Sequence, residues 1–292
     1  MKPAPFEYNV PDSLEQALDL MNQHADEAKI LAGGQSLVPA MNFRIAQPSR
    51  LVDLNRVDAL SYIREDGGVI RIGAMTRERQ LEVDALIEKH APLLHEAAPN
   101  IAHPQIRNRG TIGGSIVNAD PAAELPVLML ALDARLKAQK ASGARWIDAT
   151  DFFIGMFTTA LEPDEILVEI ELPFMPARTG WSFMEVAPRA GDYALMGVAA
   201  QVTLDENGMC ENAKLVYLNA GDGPVDAKDA AQSLVGEELD DKSIEAAAVT
   251  ASEKEITPYG NLHASPEFQS HLAAVLTRKA LKQAKQRAGE SQ

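Results

Sequence analysis

The order of apolar patterns along this 292-residue chain predicts an α+β fold built from more than one packed unit. Strand and helix patterns are mixed up to a strong strand over residues 164–172, which Pro173 closes. After the stretch 173–180, which is rich in proline and glycine, three strand patterns are followed by three helix patterns. We therefore expect a linker at 173–180, between a domain over residues 1–176 and a second α+β domain over residues 177–292.

Composition limits the classes of function that the chain can have. The formal charge of −15 argues against DNA or RNA as a partner, because nucleic-acid binding needs a basic surface. No run of eighteen uncharged apolar residues predicts a transmembrane segment, and residues 1–5 lack the features of a secretory signal, so the expected location is cytoplasmic. Cys210 is the single cysteine and cannot hold a zinc or iron–sulfur cluster, and the histidines have no ligand spacing. We expect no metal site, so any redox chemistry requires a bound organic cofactor.

Local patterns in the N-terminal part predict short elements. Residues 4–10 alternate like a strand, and residues 12–16 form a capping box that opens a helix. Residues 28–32 and 51–54 are typical of short buried strands, and residues 62–72 of a hairpin. The strand over 28–32 ends at a Gly-Gly doublet, at the kind of strand end where α/β folds bind their ligands.

The remaining elements follow from the same periodicities. A helical pattern runs from Thr76 to about Asn100, and apolar residues over 125–132 predict a buried helix. Strands are expected at 134–138 and 145–147, and beyond the linker at 181–186, 196–204 and 213–219. Helices are expected at about 225–235, 241–254 and 265–288, the last with Ser265 as its N-cap. The second domain should thus be a three-stranded sheet covered by helices.

Two glycine doublets are the most informative feature of the sequence. The first lies in Ala-Gly-Gly-Gln-Ser (32–36) and the second in Thr-Ile-Gly-Gly-Ser (111–115), which Ala-Asp-Pro (119–121) follows. Freedom at positive φ and missing Cβ atoms would let successive N–H groups of Gly113 and Gly114 converge on an anion. Each charge-assisted hydrogen bond to a phosphate contributes roughly 1.5–3 kcal/mol, so several donors suffice without a cationic side chain. The G-x-G-x-x-G fingerprint is absent, and the pair of loops instead predicts a pyrophosphate held between them.

Eight motifs in sequence order carry a family resemblance. They are Ala-Gly-Gly-Gln-Ser (32–36), Leu-Val-Asp-Leu (51–54), Ile-Gly-Ala-Met-Thr (72–76), Arg-Asn-Arg-Gly-Thr-Ile-Gly-Gly-Ser (107–115), Ala-Asp-Pro-Ala-Ala-Glu (119–124), Glu-Ile-Leu (165–167), Arg-Ala-Gly-Asp-Tyr-Ala (189–194) and Ser-Pro-Glu-Phe (265–268). Through them the chain resembles the FAD-binding medium subunit of the molybdenum hydroxylases, the family of xanthine dehydrogenase and aerobic carbon monoxide dehydrogenase.

The resemblance implies a fold, a cofactor and a set of binding residues. Residues 1–176 would form a PCMH/VAO-type FAD-binding domain with subdomains of about 1–57 and 58–176, and residues 177–292 a C-terminal domain of the CO dehydrogenase flavoprotein type. Glu124 would lie near the adenosine end of FAD, Ile101 near the cofactor, and the backbone of Ile166 or Leu167 against the flavin. The expected cofactor-binding residues are Ala32, Gly33, Gly34, Gln35, Ser36, Ile101, Thr111, Ile112, Gly113, Gly114, Ser115, Glu124, Ile166, Leu167 and Tyr193.

Other candidate residues have two interpretations each. Tyr193 is either an aromatic contact of the flavin or a buried structural tyrosine. His103 is a proton donor or covalent flavin anchor, or else an ordinary polar or N-capping residue. Arg107 and Arg109 line the flavin site or an electron-entry surface, or they form surface salt bridges. Some relatives have a lysine near position 184, whereas this chain has Met184 and Glu185, which argues against a cationic flavin contact there. No residue is assigned a catalytic role.

The function implied by the resemblance is that of an oxidoreductase subunit in a heteromeric complex. A large molybdenum cofactor subunit would hydroxylate the substrate, and a small subunit with two [2Fe–2S] clusters would pass electrons to FAD on this chain, which would reduce an external acceptor. A dimer of heterotrimers is the expected assembly. The alternatives are a stand-alone flavin-dependent oxidase or dehydrogenase of the same fold and a non-catalytic assembly protein. The substrate, whether CO, a purine, an N-heteroaromatic compound or an aldehyde, is left open, as is the electron acceptor.

Overall fold

The computed structural model describes residues 1–290 and begins with a small parallel sheet. Its strands have the order β1-β3-β2. They are β1 (Glu7–Asn9), β2 (Ala28–Leu31) and β3 (Arg50–Asp53). Helix α1 (Leu14–His24) crosses from β1 to β2, and α2 (Leu37–Asn42) follows β2. The capping box is confirmed, because the Ser13 hydroxyl accepts a hydrogen bond from the Gln16 N–H and the Gln16 side chain accepts one from the Asp12 N–H.

A five-stranded antiparallel sheet follows, with the strand order β4-β5-β10-β6-β7. The strands are β4 (Ile63–Asp66), β5 (Val69–Gly73), β6 (Arg135–Lys140), β7 (Gly143–Asp148) and β10 (Ile166–Pro173). The predicted hairpin, the strands at 134–138 and 145–147, and the strand closed by Pro173 all belong to this sheet. A short hairpin of β8 (Phe153–Gly155) and β9 (Thr158–Thr159) precedes β10.

The helical pattern predicted from Thr76 to Asn100 is divided into short helices. They are α3 (Glu78–Leu81), α4 (Ala85–His90) and α5 (Pro92–Ala97), followed by a 3-10 turn at Ala98–Asn100. The breaks have local causes, since the Asp84 side chain caps a new helix and Pro92, at the first turn of α5, has no N–H to continue α4. Three more helices complete this part: α6 (Pro104–Arg107), α7 (Ile112–Asn118) and α8 (Glu124–Ala131). As predicted, α8 is buried along its whole length.

The C-terminal part is a four-stranded antiparallel sheet, whereas the sequence predicted three strands. Its strands are β11 (Thr179–Val186), β12 (Met196–Leu204), β13 (Cys210–Leu218) and β14 (Val225–Asp226), in chain order. Strand β14 lies where a helix was expected to begin, because Tyr217 pairs with Val225 and draws this segment to the sheet edge. The helices of this part are α10 (Lys228–Gln232), α11 (Asp241–Thr250), a π-helical turn at Ala251–Glu255, and α12 (Pro266–Glu290), whereas α9 (Ala149–Phe152) lies in the first part, before the β8–β9 hairpin.

Close packing joins α12 to its sheet and the sheet to the rest of the chain. A Cβ atom at Gly180 would lie 1.8 Å from the Ala284 carbonyl oxygen, so only glycine lets α12 approach β11 this closely. The Phe183 N–H donates to the Glu96 side chain, and the Asn219 N–H donates to the Pro121 carbonyl. The segment that carries Ala-Asp-Pro (119–121) is thereby held between both parts. Within residues 1–290, no helix combines the length and hydropathy that a membrane crossing needs.

Candidate functional site

The first glycine loop leaves the end of β2 with free backbone donors. Gly34 has φ of 74°, a conformation that favours glycine, and it turns the chain towards α2. The Gln35 side chain donates to the Gly33 carbonyl oxygen at 3.0 Å, which braces the loop. In the described part of the chain, no protein acceptor faces the N–H groups of residues 33–36, and the Ser36 hydroxyl is likewise uncommitted. This loop therefore offers converging donors to an anion.

The second glycine loop differs from its prediction. Gly113 and Gly114 lie inside the helix α7 and do not have positive φ. Their N–H groups are already used, because Gly113 donates to the Ala74 carbonyl at 2.9 Å and Gly114 donates to the Thr111 hydroxyl at 3.1 Å. The expectation that these amides form a free anion nest was wrong. Of the two hydroxyl residues in this loop, Thr111 caps the helix, whereas the Ser115 hydroxyl makes no hydrogen bond within residues 1–290.

Both glycines of the second loop are required by close packing. A Cβ atom at Gly113 would lie 2.6 Å from the Cβ atom of Ala74, on which the start of α7 rests. A Cβ atom at Gly114 would lie 2.8 Å from the Thr111 Oγ1 and 3.4 Å from the Cβ atom of Ala32 in the first loop. The Ile112 N–H donates to the Thr76 carbonyl, which fixes the same edge of the helix. The missing side chains of Gly113 and Gly114 thus allow α7 to pack closely against Ala74 and the first loop.

The two loops meet in direct contact. A Cβ atom at Gly33 would lie 2.3 Å from the Arg109 carbonyl oxygen and 2.7 Å from the Gly110 Cα. Gly114 approaches Ala32 from the other side. The residues 32–36 and 111–115 are therefore brought together, as the sequence predicted.

Two further residues border the loops and were missed by the sequence analysis. The Asn55 side chain donates to the Ala32 carbonyl at 2.9 Å, and its Oδ1 accepts from the Arg77 Nη2 at 2.7 Å. The Arg77 Nη1 donates to the Arg109 carbonyl. The sequence did contain a signal for Asn55, because this residue follows β3, which runs parallel to β2. Polar residues that follow neighbouring parallel strands lie at the same edge of the sheet, so Asn55 belongs beside the first loop. Arg77 directly follows the motif 72–76 and gave no independent signal.

Glu124 begins α8 among other buried acidic groups. It is 8% exposed, and burial raises its pKa to about 7. Burial and then the Glu124 charge raise the pKa of Glu78 to about 8 and the pKa of Glu185 to about 8. One carboxylate oxygen of Glu78 and one of Glu185 are buried and have no hydrogen-bond partner within the described residues 1–290. Carboxyl groups with such pKa values can hold a proton near neutral pH.

Tyr193 lies on an exposed loop near Glu124. Its side chain is 71% exposed, so the interpretation of a buried structural tyrosine was wrong. Partial burial, followed by the charges of Asp120 and Glu124, raises the pKa of Tyr193. A Cβ atom at Gly191 in the same loop would lie 2.4 Å from the His103 ring, so the loop is closely packed against residue 103.

The turn at Ile101 is held by a buried ion pair. Arg107 is 5% exposed, and its Nε lies 2.5 Å from the Glu82 Oε1. The Arg107 Nη1 also donates to the carbonyls of Ile101 and Ala102, at 2.7 and 3.1 Å. Arg107 thus forms an interior salt bridge, in place of the surface salt bridge or flavin contact considered above. The neighbouring His103 lies at the N-cap of α6, but its side chain makes no capping hydrogen bond.

Ile166 and Leu167 lie in β10 with both side chains in the hydrophobic core. They are 2% and 4% exposed, so only their backbone is able to meet a ligand. The next residue, Val168, accepts a hydrogen bond from the Ala74 N–H at 3.0 Å, and the Ala74 carbonyl in turn supports Gly113. Only Ala74 therefore lies between this part of β10 and the second glycine loop.

The glycine contacts, the free N–H groups and the nearby arginine fit the diphosphate of a dinucleotide. Among residues 1–290, no group of three or more His, Cys, Asp or Glu side chains is arranged to hold a metal ion, and Cys210 is buried and unpaired. The backbone and side-chain donors at the loops suit the site to an anionic ligand.

Comparisons with known proteins agree with this geometry. Residues 4–175 match the family described as the FAD binding domain in molybdopterin dehydrogenase, and residues 181–284 match the CO dehydrogenase flavoprotein C-terminal domain. The chain is 44% identical to the 6-hydroxypseudooxynicotine dehydrogenase complex subunit alpha of Paenarthrobacter nicotinovorans, over 99% of this chain and 97% of the relative. It is 35% identical to the carbon monoxide dehydrogenase medium chain of Hydrogenophaga pseudoflava, over 96% of this chain and 97% of the relative.

Solved structures extend the same likeness to the fold. The carbon monoxide dehydrogenase of Hydrogenophaga pseudoflava contains a chain with a TM-score of 0.95 at 36% identity, covering 98% of this chain and 99% of that one. The quinoline 2-oxidoreductase of Pseudomonas putida 86 contains one with a TM-score of 0.93 at 36% identity, covering 99% of both. The chain therefore belongs to the FAD-binding medium subunits of the molybdenum hydroxylase family, with FAD as its cofactor.

Proposed function

We propose that this chain works as the electron-transferring FAD subunit of a heteromeric molybdenum hydroxylase. In this assignment a small subunit with two [2Fe–2S] clusters delivers electrons to FAD on this chain, and a large molybdenum cofactor subunit hydroxylates the substrate. FAD supplies the redox chemistry, and electrons leave it for an external acceptor. The likeness over almost the full length of medium chains supports this role rather than that of a complete enzyme.

One observation carries the proposal. The first glycine loop presents N–H groups without protein acceptors, and it is pressed against the second loop so closely that no side chain fits between them. Backbone donors at such a junction can approach a diphosphate within hydrogen-bond distance, which a Cβ atom at Gly33 would prevent. The chain's own contribution is thus to bind FAD and to fix its orientation.

The individual contacts form the second part of the proposal. The N–H groups of residues 33–36 and the hydroxyls of Ser36 and Ser115 donate to the diphosphate, and residues 111–114 shape the wall against which it lies. Glu124 accepts from a hydroxyl group at the adenosine end. The backbone of Ile166 or Leu167 and the turn at Ile101 lie against the cofactor, and the exposed ring of Tyr193 covers the flavin. Burial of Glu124 supports its role, because a buried carboxyl group needs a hydrogen-bonding partner.

The domain boundaries and the assembly are also proposed. Residues 1–176 form the FAD-binding domain, with subdomains of about 1–57 and 58–176, and residues 177–292 form the C-terminal domain. The short connection between β10 and β11 supports this division. We further propose a dimer of heterotrimers located in the cytoplasm.

The test is the visible absorption spectrum of the chain produced alone, with analysis of the flavin that acid precipitation releases. We expect one FAD per chain and no iron. Folded chain that stays colourless after incubation with FAD would overturn the proposal in favour of an assembly protein. Reduction of the bound flavin by a small organic substrate, without partner subunits, would instead identify a stand-alone oxidase or dehydrogenase. Co-purification from the native host should recover a molybdenum-containing and an iron–sulfur subunit.

A further inference from the structure

Arg77 spans the junction between the two glycine loops. Its Nη1 donates to the carbonyl of Arg109, next to Gly110. Its Nη2 donates to Asn55 at 2.7 Å, and the Asn55 side chain donates to the Ala32 carbonyl at 2.9 Å. One guanidinium group thus touches the second loop directly and the first loop through a single amide. Because these hydrogen bonds use only two of its five N–H groups, further donors remain.

The charge of Arg77 has no close counterpart among residues 1–290. Acidic residues outnumber basic ones by 42 to 27, yet within residues 1–290 no carboxylate lies within 4.0 Å of this guanidinium. Asp53 is its acidic neighbour at longer range, and that carboxylate already accepts hydrogen bonds from Tyr8 and Asn55. Burial, followed by the like charge of Arg109, lowers the pKa of Arg77. A partly buried cation beside a second cation is unfavourable unless an anion completes the site.

We propose that Arg77 binds the diphosphate of the cofactor and, through Asn55, locks the two glycine loops together. The inference rests on the proposed function. It adds one cationic residue to the proposed FAD site, and this residue lies outside every motif from which the site was predicted. The planar guanidinium suits this role because its parallel N–H groups match two phosphate oxygens. The occupant is thus defined chemically as a diphosphate ester of the ADP type, of which FAD is one.

The matched variants are Arg77→Met, Arg77→Lys and the control Arg56→Met. Arg56 lies in the same part of the chain, its side chain is 69% exposed, and its nearest carboxylate, that of Asp12, is 3.7 Å away. We expect Arg77→Met to weaken FAD binding by about ten- to a hundredfold, because charge-assisted hydrogen bonds to phosphate are lost. Arg77→Lys keeps the charge without the planar fork and should recover part of the loss. Arg56→Met should bind as the parent chain does.

The measurement is equilibrium dialysis of the flavin-free full-length chain against FAD and, separately, against ADP at two salt concentrations. ADP carries the diphosphate without the flavin, so Arg77→Met should lower the affinity for both ligands by a similar factor and reduce their salt dependence. Unchanged affinities of Arg77→Met for FAD and ADP would overturn the proposal. It would also be overturned if Arg77→Lys and Arg77→Met lost affinity equally and the affinity of the parent chain did not depend on salt. If the parent bound ADP but not FAD, the proposed function would fail while the role of Arg77 stood.

Discussion

Gly33 and Arg109 lie in backbone contact, with the position of a Cβ atom at Gly33 only 2.3 Å from the Arg109 carbonyl oxygen. The same position is 2.7 Å from the Gly110 Cα, so the neighbour is rigid main chain rather than a movable side chain. This contact turns two short loops, distant in the sequence, into one continuous surface. The site therefore depends on the absence of a side chain at residue 33.

Replacing Gly33 by alanine should separate the two loops. Overpacking of this kind costs about 1–3 kcal/mol, and the resulting gap should displace the first loop from the diphosphate. We expect Gly33→Ala to be folded with a lower melting temperature and to carry much less FAD per chain. Gly223→Ala is the control, because its Cβ atom would have no neighbour nearer than Phe153 at 4.0 Å. A full complement of FAD in Gly33→Ala would contradict the loop contact.

Position 114 should respond in a graded way. A Cβ atom there would lie 2.8 Å from the Thr111 Oγ1, which can rotate away, and 3.4 Å from the Cβ atom of Ala32. Gly114→Ala should therefore bind FAD with reduced affinity, whereas the extra methyl groups of Gly114→Val should push against Ala32 and abolish binding. The visible absorption of each purified variant measures this. Stoichiometric flavin in folded Gly114→Val would refute the assignment.

The buried pair of Arg107 and Glu82 should contribute strongly to stability. Arg107→Met removes the buried donor to Glu82 Oε1 and to two main-chain carbonyls and leaves Glu82 only its exposed partner Arg79, and removal of one partner of a buried pair costs about 3–5 kcal/mol. Arg79 is a matched control, because it pairs with the same Glu82 from a side chain that is 48% exposed. Arg79→Met should cost less than about 1 kcal/mol. Urea unfolding of the flavin-free chain compares the two, and equal losses would contradict the structure.

The flavin-free chain should lose stability as the pH rises from about 5 to about 8. Burial, followed by the Glu124 charge, raises the pKa of Glu78 to about 8, while Arg107 lowers it and Glu82 raises it slightly. The folded state then binds a proton that the unfolded state has released, so the free energy of unfolding falls with pH across this window. The rise in the pKa of Glu78 from 4.5 to about 8 corresponds to roughly 5 kcal/mol of stability that is lost once the pH exceeds both values.

Glu78→Gln tests this directly by urea unfolding across the pH range. We expect the variant to show a smaller decline than the parent, with a residual slope from Glu124, whose pKa is about 7, and from Glu185, whose pKa is about 8. The exposed Glu88 provides the control, and Glu88→Gln should keep the parent's slope. A decline that is the same in all three proteins would show that Glu78 is ionised throughout.

Local chemistry explains why much of the fold was predictable. The capping box at Ser13 and the buried helix α8 depend on residues adjacent in sequence, and both were predicted. The division of the pattern from Thr76 to Asn100 was not predicted, because helix caps and proline interrupt an apolar periodicity that itself continues. Strand β14 was not predicted because it has only two residues, and they are extended through their pairing with β13 rather than through a local pattern.

From the sequence by itself, the pair of glycine motifs at 32–36 and 111–115 predicted two loops that meet, and their backbone contact confirms this. That the loops hold a diphosphate stays a prediction. Only the tertiary structure decided which backbone donors remain available. It engages the N–H groups of Gly113 and Gly114 within the protein, leaves those of residues 33–36 without an acceptor among residues 1–290, and brings Arg77 and Asn55 to the junction. The physical reason is that a motif specifies which donors a segment contains, whereas the packing of distant segments decides which donors are already satisfied.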